Sequence, residues 1–139
     1  MPPIVRSILV LIGSLIVGMI LISAVQYLSM MMFPPPPGLD MSNPTQMEAF
    51  ISSVSAGAFV MLIVSYSVGP FVGGFLGVFL DSSTGIRNAA ILAGIFLAAG
   101  AMNLLSFKHP IWLAIAVVIV LPGFALLGGK VAQMFGKNK

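Results

Sequence analysis

Between Ile8 and Phe33 the chain runs for 26 residues without one charged side chain. Few structures can accept such a segment, because about 20 consecutive apolar residues already suffice to cross a bilayer's hydrocarbon core as a helix. Its non-apolar members are Gly, Ser, Gln26 and Tyr27, and Arg6 stands just ahead of it. A basic residue before an apolar stretch also opens a secretory signal. Signal h-regions, however, run to about 7–15 residues and close on a small-residue cleavage site, a pattern this run does not follow. A retained span is therefore expected.

The rest of the chain has the same character. Hydrophobic residues make up 59% and charged residues 6%, with a mean hydropathy of +1.14. Soluble domains carry about 25% charged residues, so six basic and three acidic side chains cannot cover a soluble surface of this size. A soluble globular domain, a nucleic-acid binder and a disordered chain are all excluded. The net charge is +3, but the basic residues are scattered singly and mark topology, not a polyanion site. Without cysteine the chain has no disulfides, thiolate chemistry, iron–sulfur clusters or Cys-type zinc sites.

The expected architecture is all-α: one transmembrane domain over 1–139, with spans near 7–33, 54–80, 88–107 and 111–129 and a Pro-rich external loop over 34–53. Pro34 to Pro37 cannot continue a helix and read as a polyproline II spacer of about 12 Å. After it, Asn43 suits an N-cap, Pro44 the first helical position, and Gln46 the third position of a capping box. Glu48 is placed in the first turn, where it complements the helix dipole. A single helix from Pro44 to Leu80 would be about 55 Å long, too long for a core of about 30 Å. The segment must divide into a short interfacial helix, Pro44–Ser53, and a second span, Val54–Leu80, kinked near Pro70. Gly85 lies in the polar loop that follows, Lys108-His109-Pro110 forms a minimal turn, and the fourth span holds Pro122.

Lys and Arg near span ends set orientation. With four spans, Arg6, Arg87, Lys130, Lys137 and Lys139 fall on one side and Lys108 on the other. Both termini are accordingly expected in the cytoplasm, with Tyr27 and Trp112 near the outer ends of their spans.

The sharpest motif is Ser65-x3-Gly69-x3-Gly73-x3-Gly77, widened by Gly74. Residues four apart share a helix face, and small ones let a second backbone approach closely. Ala90-x3-Gly94-x3-Ala98 is its counterpart on the third span. These seven residues are the expected helix-packing positions, within the chain or between chains. Gln26, Tyr66 and Asn103 are the intramembrane polar residues. Gln26 and Asn103 sit at similar depth and can bond across helices, and Ser65, Tyr66 and Ser67 cluster beside the Pro70 break.

No charged residue occupies the middle of a span. Ion-coupled carriers place ionisable groups there, so a small multidrug exporter is not expected, and the strong charge bias is unlike a dual-topology fluoride channel. Met30, Met31 and Met32 point in three directions on a helix, which disfavours copper, and His109 lacks a metal-binding partner. Gly77-x3-Asp81-x3-Gly85-x-Arg87 is similar to a cytoplasmic loop of major facilitator transporters. Its spacing and the four-span count argue for convergence. No catalytic residues, metal site or cofactor are expected.

Phe33-Pro34-Pro35-Pro36-Pro37-Gly38-Leu39-Asp40, Gly69-x-Phe71-Val72-Gly73-Gly74 and His109-Pro110-x-Trp112 together resemble small four-helix bacterial inner-membrane proteins with a Pro-rich external loop. The resemblance implies a multi-pass protein of the inner membrane and brings no biochemical activity with it. The expected function is non-enzymatic action through helix packing, as an accessory or structural subunit or a homo-oligomer. The alternative is a small oligomeric channel or transporter for a neutral or apolar solute. The expected partners are the lipid bilayer, other membrane subunits or copies of the chain, and no nucleic acid.

Overall fold

The computed structural model describes residues 2–34, 37–40, 42–53, 56–81, 83, 85–106 and 111–136, with 51–53, 56, 106 and 136 described by backbone alone. Pro35, Pro36, Met41, Val54, the Lys108-His109-Pro110 turn, Lys137 and Lys139 lie outside the described residues. Among the described residues five helices follow one another: α1 (Pro3–Met32), α2 (Pro44–Ser53), α3 (Ala56–Phe79), α4 (Arg87–Ser106) and α5 (Ile111–Gly136). All but α2 are long and apolar enough to cross a membrane.

The 30 residues of α1 extend about 45 Å, so a core of about 30 Å leaves it tilted or protruding. Pro3 opens it, where a missing N–H costs nothing. α2 starts as its residues dictate. The Asn43 Oδ1 accepts from the Thr45 and Gln46 amides at 3.0 and 3.3 Å. Gln46 does not close the box on Asn43, because its Oε1 accepts instead from the Asp40 amide at 2.7 Å. Glu48 falls one position beyond the first turn, correcting its expected place, since the helix starts at Pro44. The Ser42 hydroxyl, then its amide, donate to Asp40 and hold that carboxyl below the usual carboxylate range.

α3 runs unbroken through Pro70, which is fully buried. The Ser65 and Ser67 hydroxyls bond back to the Leu62 and Ile63 carbonyls of the same helix at 2.6 and 2.8 Å. α5 continues past Gly129, the expected end, to Gly136. Gly128 and Gly129, at the expected end of the span, both lie at close helix contacts. A Cβ on Gly128 would collide with the Phe71 carbonyl, and one on Gly129 with Ala89.

α3 is the centre of the bundle and touches α1, α4 and α5, and α4 also packs on α5. α1 rests on α3 and has only a marginal contact with α4. The core is built mainly from Tyr66, Leu92, Phe96, Leu113, Val117 and Leu121. Leu113, Val117, Leu121 and Ala125 are spaced by four and form a buried stripe along α5. On α1 the pattern is the inverse of a soluble helix. Ser7, Ser14 and Gly18 are buried, while Ile8, Leu9, Ile12, Ile16 and Ile20 are exposed. In a bilayer, bulky aliphatics meet lipid at no cost and small residues allow close packing.

Candidate functional site: a cleft between α1 and α4

The contact of α1 with α3 is made by glycine on both sides. A Cβ on Gly69 would lie 2.6 Å from the Gly18 carbonyl oxygen, and one on Gly18 3.0 Å from the Gly69 carbonyl oxygen. A Cβ on Gly73 would meet the Ser14 carbonyl oxygen at 3.2 Å, and one on Gly77 would meet Leu92 at 2.8 Å. Ser65, Gly69, Gly73 and Gly77 are all buried. This face of α3 therefore looks at α1 and α4 of the same chain. Gly74 does not widen that groove. It belongs to a second close approach, where an added Cβ would collide with the Ala125 carbonyl of α5.

The expected counterpart on α4 is corrected. Ala90, Gly94 and Ala98 are exposed, and a Cβ on Gly94 would touch nothing within 4 Å. The packed face carries Ala89, Leu92, Ala93, Phe96 and Gly100. Small residues recur so densely in α4 that a spacing of four can be drawn on either side of it.

Because glycine draws α1 onto α3 while α4 leans on α5, a gap opens between α1 and α4. It is a cavity of about 310 Å³. Its floor is Tyr66 from α3, Phe96 and Gly100 from α4 and Leu121 from α5, all buried, flanked by half-buried Leu15, Ile22 and Gln26 from α1. Its mouth is formed by Met19 and Ser23 of α1 and Ile95, Ala99 and Asn103 of α4, all exposed. The opening thus lies between two spanning helices and faces sideways.

All three intramembrane polar residues meet in this cleft. The Asn103 Nδ2 donates to the Tyr66 hydroxyl at 3.0 Å, and Gln26 is a second side-chain partner of that hydroxyl. The two amides were expected to bond across helices; they converge on Tyr66, whose residue is 8% exposed. One phenol and two carboxamides offer donors and acceptors without charge. Such bonds within a membrane average about 0.6 kcal/mol and reach about 1.7.

A second polar centre lies at the other end of the bundle. Positive φ at Gly85, 60°, is a left-handed conformation that suits glycine, and it turns the chain from α3 into α4. Asp81, 4% exposed, accepts from the Ser7 hydroxyl at 2.6 Å and the Ser83 hydroxyl at 2.9 Å. Arg87 donates to Ser7 at 2.8 Å, so Asp81 and Arg87 are joined through a serine of α1. The bond from Ser7, then that from Ser83, hold the Asp81 carboxyl below the usual carboxylate range against the opposing effect of burial; Asn88 and the charge of Arg6 add to this. α3 leaves its last carbonyls without partners in its own helix. Asn88 donates to the Gly77 carbonyl and Arg6 to the Leu80 carbonyl, each at 2.9 Å. Sequence reasoning missed Ser7, Asn88 and the Ser14–Gly18 pair. Only the last left a signal, a second small-x3-small spacing inside the longest apolar run.

Phe33, ahead of the prolines, lies over Gly57, where an added Cβ would come within 2.6 Å of its ring. Trp112, half exposed, meets Phe59 edge to face at 5.7 Å, and Tyr27 is 67% exposed. Compared with protein-family models, with curated proteins and with solved structures, the chain matches none of them.

Proposed function

We propose that this chain is a non-enzymatic membrane protein that acts through packing, as an accessory or structural subunit of a larger assembly in a bacterial inner membrane. The observation that carries the proposal is the placement of α1. It is the longest helix of the bundle, seated on α3 with only a marginal contact to α4, and most of its large aliphatic side chains, Ile8, Leu9, Ile12, Ile16 and Ile20 among them, are turned outward. The glycine face most suited to joining copies of the chain is already occupied by α1 and α4, which favours a hetero-assembly over a homo-oligomer built on that face. In the proposed topology both termini are cytoplasmic, α2 lies at the outer interface, and the Asp81 centre faces the cytoplasm. Five basic residues against one support this orientation.

Transport of a neutral or apolar solute is a second reading, favoured by the α1–α4 cavity. Purification in mild detergent followed by mass measurement of the native particle separates the two. The subunit reading expects a second polypeptide in stoichiometric amount. A symmetric homo-oligomer that moves a neutral solute in proteoliposomes would replace it with the second reading.

A further inference from the structure

We infer that the α1–α4 cleft is a binding site for an uncharged amphiphile drawn from the bilayer, with an apolar chain or ring as body and a hydroxyl or carbonyl as head. The inference holds whether the chain works as a subunit or as a carrier.

Three features of the cleft define its occupant. Its volume of about 310 Å³ falls at the small end of ligand sites, about 300–1,000 Å³, which are mostly apolar with a few convergent polar groups. Its polar groups are gathered at one end. Asn103 stands three residues before the end of α4 and Gln26 six before the end of α1, about 5 and 9 Å along their helices. The apolar walls, Leu15 and Met19 facing Ile95 and Phe96, continue toward mid-membrane. A molecule lying along the slot would place its head near one rim of the hydrocarbon layer and its body beside the lipid chains. That is the orientation an amphiphile already has in a bilayer.

The third feature is charge. Among the described residues no Asp, Glu, Lys, Arg or His lines the cleft, so a charged head would enter a low-dielectric site with no charge in that lining to neutralise it. A neutral head finds Tyr66, which is buried, and the carboxamides of Asn103 and Gln26, which can donate to a carbonyl or accept from a hydroxyl. The sideways mouth at Met19, Ser23 and Ala99 admits a molecule from the lipid phase without passage through water. A neutral lipid and a membrane quinone share this chemistry.

The purified full chain in detergent can be titrated with decanol, a decyl benzoquinone, decanoate and decylamine while thermal unfolding is followed. A ligand that binds only the folded state raises the melting temperature saturably. The two neutral probes are expected to do so and the two ionised ones are not. Asn103→Leu should weaken neutral-probe binding about threefold to tenfold, the range set by losing one hydrogen bond of about 0.6 to 1.4 kcal/mol. Ala99→Trp, placed on the exposed mouth, should abolish the saturable shift with the ligand-free melting temperature unchanged. Ile95→Trp serves in its place if Ala99→Trp melts early. A small molecule that co-purifies with the wild type and is lost from the tryptophan variant supports the site, and its mass and redox-sensitive absorbance distinguish quinone from lipid. Equal shifts with all four probes, or unchanged binding after the mouth is filled, would overturn the proposal. So would a photo-crosslinker at Ala99 that captures a polypeptide, since the slot would then be covered by another helix.

Discussion

At single positions, the bundle is governed by what stands where a Cβ would be. The tightest places are backbone against backbone, at Gly74 with Ala125 and at Gly128 with Phe71. A side chain can rotate away from an added methyl, but a helix carbonyl cannot. Gly74→Ala is therefore expected to destabilise the protein by about 1–3 kcal/mol, the usual cost of forcing volume into a packed interior. Denaturant titration in detergent would show it, and a variant as stable as the wild type would mean that α3 and α5 are not in contact there. Asp81 offers a test of a different kind. Its folded-state pKa is held below the ordinary aspartate value by the bond from Ser7 and then that from Ser83, so its stabilising contribution is present in full above the ordinary carboxylate range. That contribution is lost as pH falls through the depressed folded value. The gap in melting temperature between the wild type and Asp81→Asn should be constant near neutrality and shrink only below about pH 3.8. A gap that persists unchanged to the lowest pH at which both fold would dissociate it from the charge on Asp81.

Helices in this chain were easier to find than their faces. Their number follows from length against the thickness of a bilayer, which is also why the stretch from Pro44 to Leu80 had to divide. The Asn43 cap was legible because few residue types cap a helix and a proline followed it. Facing was legible on α3, where glycine recurs every fourth residue among bulky neighbours. It was not legible on α4, whose alanines and glycines are spread around the whole circumference, so that Ala90, Gly94 and Ala98 looked as good as the face actually packed. Nor could apolar periodicity help, since a helix that is apolar all round has no moment to point inward. The cleft escaped detection for a related reason: its three polar residues come from three helices, and sequence showed similar depth for two of them but not their common meeting point at Tyr66. The two sides of α4 give a paired prediction. Gly94→Ala meets nothing within 4 Å, whereas a Cβ on Gly100 would collide with Leu121. The first should be neutral or stabilise by up to about 1 kcal/mol through helix propensity, and the second should destabilise. A reversed order in denaturant midpoints would return α4 to the orientation expected from its small-residue spacing.

On the scale of the whole molecule, α1 is fastened to the α3–α4 turn at one end and parts from α4 along the cleft toward the other. At the Asp81 end, α1 is tied to the α3–α4 turn through Ser7, Arg6 and Arg87. Toward Gln26 it separates from α4 and leaves the cleft. Which end faces the cytoplasm is a matter of charge, and cysteines at Ser42 and Asn138 decide it in a chain that has none of its own. A membrane-impermeant thiol reagent added to intact cells should label the cysteine at position 42 and spare the one at 138; the converse would invert the topology.

The glycine face of α3 is closed by α1 of the same chain, at Gly69 against Gly18 and at Gly73 against Ser14. The Ser14 carbonyl oxygen lies 3.2 Å from where a Gly73 Cβ would stand, and the Ser14 Oγ lies 3.8 Å from where a Gly77 Cβ would stand, so side chains at 14 and 77 face each other closely enough for cysteines there to be bridged. The double variant Ser14→Cys with Gly77→Cys, oxidised in native membranes, should cross-link within the chain and migrate as a monomer. The control Ile20→Cys with Gly77→Cys should not cross-link, since Ile20 is 60% exposed on the far side of α1. A disulfide dimer from the first pair, with no intrachain bond, would show that the glycine face joins two copies and contradict the account.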